Sequence, residues 1–208
     1  PLAAAPHGAE LRFNDGRCDR QGRFWVGSMH DAPGERLPLG RLARLARPGE
    51  CAGAWQPAFQ DRMLVPNGLG FAPDGTRMYF SDSHASRATV WACDYDIETG
   101  RPAAPRVFIP ALNAGRPDGA AVDAEGGYWI CANDGAAVFR YTPQGRLDRR
   151  IELPVAKPTM CAFGGPDLRL LLIASMKPEG APPRSPLDGA LFAVRLDVAG
   201  LPEPPFAG

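Results

Sequence analysis

Apolar side chains in this chain come in short bursts separated by glycine- and proline-bearing turns, a pattern that predicts strands of five to eight residues. Four bursts directly follow a tight turn: GRFWVGSM (22–29) after DRQG, TRMYFSDS (76–83) after APDG, GYWICAND (127–134) after DAEG, and LRLLLIAS (168–175) after GGPD. A second strand is expected behind each, at GRLARLA (40–46), TVWACDYD (89–96), AVFRYTPQG (137–145) and GALFAVRLD (189–197). Weaker strands close some units, as at RVFIP (106–110) and RRIELP (149–154). One segment is ambiguous. LGRLARLARPGE spaces Leu and Arg as a short basic amphipathic helix would, but it occupies the second-strand slot, and a strand is expected there.

The polar positions repeat as well. In RFNDGRCDRQG, VPNGLGFAPDG and RPDGAAVDAEG an oxygen-bearing side chain stands eight residues before the closing glycine: Asn14 before Gly22, Asn67 before Gly75, Asp118 before Gly126. A fourth segment, KPTMCAFGGPDLR, puts Thr159 in the same register. Units of about 40–50 residues with up to four strands match the blades of a β-propeller, whose innermost strands line a central channel. The fold class is therefore all-β, residues 1–208 forming a single propeller domain. Asn14, Asn67 and Asp118 are expected at one mouth of the channel. Four units are visible, and the chain starts almost at an innermost strand. Because an incomplete ring exposes strand edges, a larger propeller lacking its first blades is favoured over a closed four-bladed one.

Composition narrows the function classes. Lys plus Arg and Asp plus Glu number 23 each, so the chain lacks the basic excess of a nucleic-acid binder. No apolar run reaches the roughly 20 residues of a membrane span, and the N-terminal PLAAAPHGAE has neither the charge nor the apolar stretch of a signal peptide. A cytoplasmic protein without nucleic-acid or membrane partners is expected; its oligomeric state is left open. The five cysteines (Cys18, Cys51, Cys93, Cys131, Cys161) lack CxxC spacing and read as reduced core thiols.

An Asn amide oxygen beside an Asp carboxylate is hard-oxygen ligation, suited to Ca²⁺, Mg²⁺ or Mn²⁺. The same Asn-Gly and Asp-Gly dipeptides are also ordinary turn chemistry. Arg12 lies two residues before Asn14, on the same face of an extended strand, with a donor fork for a carboxylate or hydroxyls. His7, His30 and His84 are isolated and read as loop or core residues, with His30 near the rim of the mouth. Asp82 and Asp134 end strands and read as turn caps. Neither a Gly-x-Ser-x-Gly elbow nor a phosphate-binding glycine loop is present.

RFNDGRCDRQGRFWVGSM, PNGLGFAPDGTRMYFSDS, RPDGAAVDAEGGYWICANDG and LPVAKPTMCAFGGPDLRLLLIAS together resemble the regucalcin/gluconolactonase (senescence marker protein) family, from about Leu11 to the C-terminal FAG. The resemblance implies a six-bladed propeller, here about four blades with the first ones missing. It also implies one divalent metal ion in the channel mouth (Ca, Zn, Mn, Mg or Fe) and hydrolysis of a sugar lactone to its aldonic acid. Carried over by motif, Asn67 and Asp118 look like metal ligands, Asp118 also like the catalytic base, and Arg12 and Asn14 like the substrate-binding pair. The cation would polarise the lactone carbonyl and activate water. Two departures stand out: no GEGP-type motif supplies the family's metal-binding Glu, and the acidic position after GSM falls on Ala32, beside Asp31. The alternative expectation is a non-catalytic metal-binding propeller that serves as a ligand-binding module.

Overall fold

The computed structural model describes residues 8, 10–46, 55–56, 59–178 and 182–207; Cys51 and His7 lie outside them. It contains fifteen strands in four antiparallel sheets. The first sheet holds β1 (Leu11–Cys18), β2 (Phe24–His30), β3 (Gly40–Arg44) and β4 (Gln60–Met63). The second holds β5 (Pro66–Phe71), β6 (Arg77–Asp82), β7 (Thr89–Asp96) and β8 (Arg101–Ile109). The third holds β9 (Arg116–Val122), β10 (Tyr128–Asn133), β11 (Ala137–Tyr141) and β12 (Leu147–Glu152), and the fourth β13 (Pro158–Gly164), β14 (Leu170–Ser175) and β15 (Leu191–Arg195). Each sheet is a meander, and the first strands of successive sheets lie side by side, β1 against β5, β5 against β9, β9 against β13. This is four neighbouring propeller blades, the all-β class expected. The ambiguous Leu/Arg segment is the strand β3, as its slot required. Among the described residues no helix is long and apolar enough to cross a membrane.

Alternation of side chains along each strand fills the spaces between blades. Trp25, Leu42, Leu69, Phe71, Met78 and Phe80 pack between the first and second blades. Tyr79, Val90, Val122, Tyr128, Ile130 and Phe139 pack between the second and third. Trp129, Cys131, Val138, Cys161, Leu171 and Ile173 pack between the third and fourth. On β10 the division is strictly by parity: Tyr128 and Ile130 face the second blade, Trp129 and Cys131 the fourth. Cys93, Cys131 and Cys161 are buried free thiols, as expected, and Cys18 is half-buried.

The repeated turns have a common chemistry. Asp19 accepts from the Gln21 and Arg23 amides with one oxygen, and from Arg23 Nη1 and the Tyr95 hydroxyl with the other. Asp123 does the same one repeat pair later, accepting from the Glu125 and Gly127 amides and from Trp129 Nε1 and Arg140 Nε. The closing glycines Gly22, Gly75 and Gly126 have φ of 78°, 73° and 81°, a conformation that costs an L-residue about 1 kcal/mol or more. These turns fix the far end of each inner hairpin. The C-terminal segment returns across that same end: Gly200 bridges Asp123, Glu203 pairs with Arg17, and the Ala207 amide donates to the Gly22 carbonyl at 2.9 Å.

Candidate functional site

All four inner strands are irregular at the register position. The ladder slips between Phe13 and Gly16 on β1, between Asn67 and Gly70 on β5, and between Pro158 and Met160 on β13. On β9 the slip lies between its partners Ile130 and Ala132, opposite the stretch from Pro117 to Ala120. Asn14, Asn67, Asp118 and Thr159 thus sit at bulges, which bend a strand and re-aim one side chain. Strict two-residue alternation would have placed Asn14 and Asp15 on opposite faces; the bulge lets both serve the mouth region.

Asn67 is buried and donates its amide nitrogen to Ser83 Oγ at 2.8 Å; Ser83 in turn donates to the carbonyl of Pro117, the residue before Asp118. The Asn67 side chain also stands near enough to the Asp118 carboxylate to favour its charged form. The amide and the carboxylate that the repeat placed at one mouth are therefore neighbours. Asn133, on β10, donates from Nδ2 to Asp118 Oδ2 at 2.8 Å. Its Oδ1 accepts from Arg116 Nη2 at 3.1 Å and Lys157 Nζ at 3.5 Å. Both cations also pair with Asp134.

Burial pushes the Asp118 carboxyl up to about 6; the Asn133 hydrogen bond opposes that rise, the Asp15 charge adds to it, and Arg116 and Asn67 oppose it. Asp15 is itself buried and raised, chiefly by desolvation, against the Leu69 amide that donates to its Oδ2 at 2.9 Å. Two carboxyls with raised pKa therefore belong to neighbouring parts of this site, the Asp15 charge acting on Asp118. The bulge at Asn67 is held from both sides. Asp15 of the first blade takes the Leu69 amide, and Tyr128 of the third donates its hydroxyl to the Gly68 carbonyl at 2.7 Å.

Asn14 donates to the Pro66 carbonyl at 2.9 Å, beside Asn67, and its Oδ1 accepts from Arg12 Nη1 at 3.2 Å. Arg12 and Asn14 do share a face, and both are solvent-accessible. Arg12 Nε also pairs with Asp31 at 3.1 Å, so the acidic neighbour of Ala32 is joined to the arginine. His30 is buried and accepts from the Leu37 amide through Nδ1, a packing role. Asp82 caps the turn before β5, accepting from the Leu64 and Val65 amides. Asp134 differs from the cap expected of it. Burial raises its pKa, but hydrogen bonds from Lys157 and Arg116 win and leave it lowered.

Asn133 and Asp15 were missed in the sequence. Asn133 ends the GYWICAND burst beside Asp134 with nothing in the repeat to mark it, and the bulge after Asn14 that turns Asp15 inward leaves no trace in a two-residue period. Among the described residues no group of three or more His, Cys, Asp or Glu side chains could hold a metal. What is present is an amide and a carboxylate on neighbouring inner strands, both carrying hard oxygen donors. They fit a divalent cation in kind and would supply two of its ligands.

Four meander blades with Asn14, Asn67 and Asp118 at the bulges of adjacent inner strands define a β-propeller. The comparisons agree. Residues 1–177 match the SMP-30/gluconolactonase/LRE-like region, and the chain belongs to that family. It is 40% identical over 211 residues to a 6-deoxy-6-sulfogluconolactonase of Pseudomonas putida, covering all of this chain and 70% of that protein. It is 36% identical to a pentonolactonase of Haloferax volcanii, covering 94% of this chain and 65% of that one. Among solved structures, a calcium-binding regucalcin of Agrobacterium tumefaciens superposes with a TM-score of 0.85 at 30% identity, covering 95% of this chain and 65% of that one. The chain thus spans roughly two thirds of the length of these relatives.

Proposed function

We propose that this chain carries the catalytic mouth of a sugar-lactone hydrolase that works with one divalent cation, and that its four blades belong to a six-bladed propeller. The observation that carries the reading is the juxtaposition of Asn67 and Asp118 at bulges of neighbouring inner strands. The relatives named as lactonases support the reaction class. Asn67 and Asp118 would hold the cation, which when bound supplies Lewis-acid polarisation of a carbonyl and a more acidic water.

The chain's own residues account for the rest. Asp118 would accept the proton of the attacking water. Asn133 and Asn67 hold its carboxylate in place. Arg12 and Asn14, joined to each other at the rim, orient the hydroxyls of the lactone ring and bring its carbonyl carbon to the mouth.

The test is acid release from gluconolactone and pentonolactones, followed with a pH indicator, with and without Mn²⁺, Ca²⁺ or Zn²⁺. Metal-dependent turnover above the uncatalysed rate, lost in Asp118→Ala, is expected. Cation binding with no turnover on any sugar lactone would instead favour a non-catalytic ligand-binding module.

A further inference from the structure

We infer that Asn133 is the positioning residue for Asp118, and that Arg116 and Lys157 act by locking the Asn133 amide in the one orientation that can do this. The inference rests on the proposed lactonase reading. An Asn side chain offers a donor end and an acceptor end of nearly equal size, so by shape alone it fits either way round. Here both cations address Oδ1, from Arg116 Nη2 at 3.1 Å and Lys157 Nζ at 3.5 Å. Nδ2 is thereby turned to Asp118 Oδ2 at 2.8 Å, with Met176 Sδ nearby at 3.9 Å. A flipped amide would set Oδ1 against the carboxylate and NH₂ against two cations. Three interactions would change sign together.

The cations are fixed in turn. Asp134 takes Arg116 at 2.8 Å and also pairs with Lys157, while Arg116 Nη1 donates to the Ser83 carbonyl at 3.3 Å. Ser83 is the residue that receives the Asn67 amide. One network of side chains therefore holds both residues of the mouth, reaching Asn67 through Ser83 and Asp118 through Asn133. Asn133 is buried, so the amide has no water to exchange partners with. Its function is directional: it fixes Oδ2 and so decides where the rest of the carboxylate points.

The variant is Asn133→Asp, which keeps size and the acceptor for Arg116 and Lys157 but sets a second carboxylate, in place of the donor, against Asp118. The expected result is a kcat reduced about 10- to 100-fold with KM within about threefold of the parent, at unchanged near-ultraviolet circular dichroism. A kcat within twofold of the parent overturns the inference. Should that variant not fold, Lys157→Met reads the same lock from the half-exposed side: kcat should fall several-fold, and Lys157→Arg should restore it. Parental kcat in Lys157→Met then overturns the lock. A readout independent of turnover is the Asn133 side-chain amide pair in ¹⁵N NMR, assigned by its loss in Asn133→Asp. Asp118→Ala should shift that pair upfield, and no shift sinks the inference. If the parent protein hydrolyses no lactone, the proposed function fails while the NMR arm still decides on Asn133.

Discussion

Asn67 donates its amide to Ser83 Oγ at 2.8 Å, and Ser83 passes the contact on to the carbonyl of Pro117 in the next blade. Two metal-ligand candidates from different blades are thus tied by one hydroxyl. Replacing Ser83 with Ala should leave the Asn67 amide free to rotate and the Pro117 carbonyl without its donor. Cation affinity should fall about tenfold, within the range typical of lost outer-sphere partners. Competitive Mn²⁺ titration followed by electron paramagnetic resonance checks it.

Proton and cation should compete for Asp118. Its carboxyl titrates near 6, so below that pH it is mostly protonated and a poor ligand. Mn²⁺ affinity should therefore drop as pH falls from 7 to 5, by about tenfold per unit once below 6. Calorimetric titration at several pH values measures it. A flat affinity over that range would show that Asp118 is not a ligand.

The same shift has a stability consequence of opposite sense. The folded-state pKa of Asp118 is raised above its ordinary value of 3.8. The folded protein therefore binds more protons than the unfolded chain between about pH 4 and 6, and stability from this group is lost as pH rises through 6. In the metal-free protein Asp118→Asn should raise stability at pH 7.5 by about 1–2 kcal/mol and leave it unchanged below pH 4. Urea denaturation in chelator at both pH values gives the difference.

The bulge at Asn67 depends on Gly68. Its φ is 64°, and an added Cβ would lie 2.6 Å from the Tyr128 hydroxyl and 2.7 Å from Ser81 Oγ. Gly68→Ala should cost about 3 kcal/mol or more, from backbone strain and the displaced hydroxyls together. Tyr128→Phe, which only removes the donor to the Gly68 carbonyl, should cost about 1–2 kcal/mol. Denaturation midpoints of the two variants order them.

How much of this was legible in the chain depends on which spacing carried the information. The closing glycines and the bursts after them gave the inner hairpins, because a positive φ at Gly22, Gly75 and Gly126 is what such turns require. β7 runs from Thr89 to Asp96, as its pattern predicted. β4 was not foreseen: its sequence, QDRM, has no alternation and pairs only with β3. At the site, register alone brought Asn67 and Asp118 together, and Arg12 with Asn14. The bulges were invisible, since a ladder slip leaves no mark in a two-residue period. Asp15 and Asn133 carry no such mark, because their partners are distant in the chain: the Leu69 amide for Asp15, and Arg116, Asp118 and Lys157 for Asn133.

The central claim is that residues from neighbouring blades converge on a shared ion at the channel mouth. A crystal structure of the protein grown in Ca²⁺ tests it most directly. The account predicts one cation with Asn67 Oδ1 and an Asp118 carboxylate oxygen both at about 2.3–2.6 Å. A cation bound elsewhere, with those two side chains still facing only each other, would contradict it.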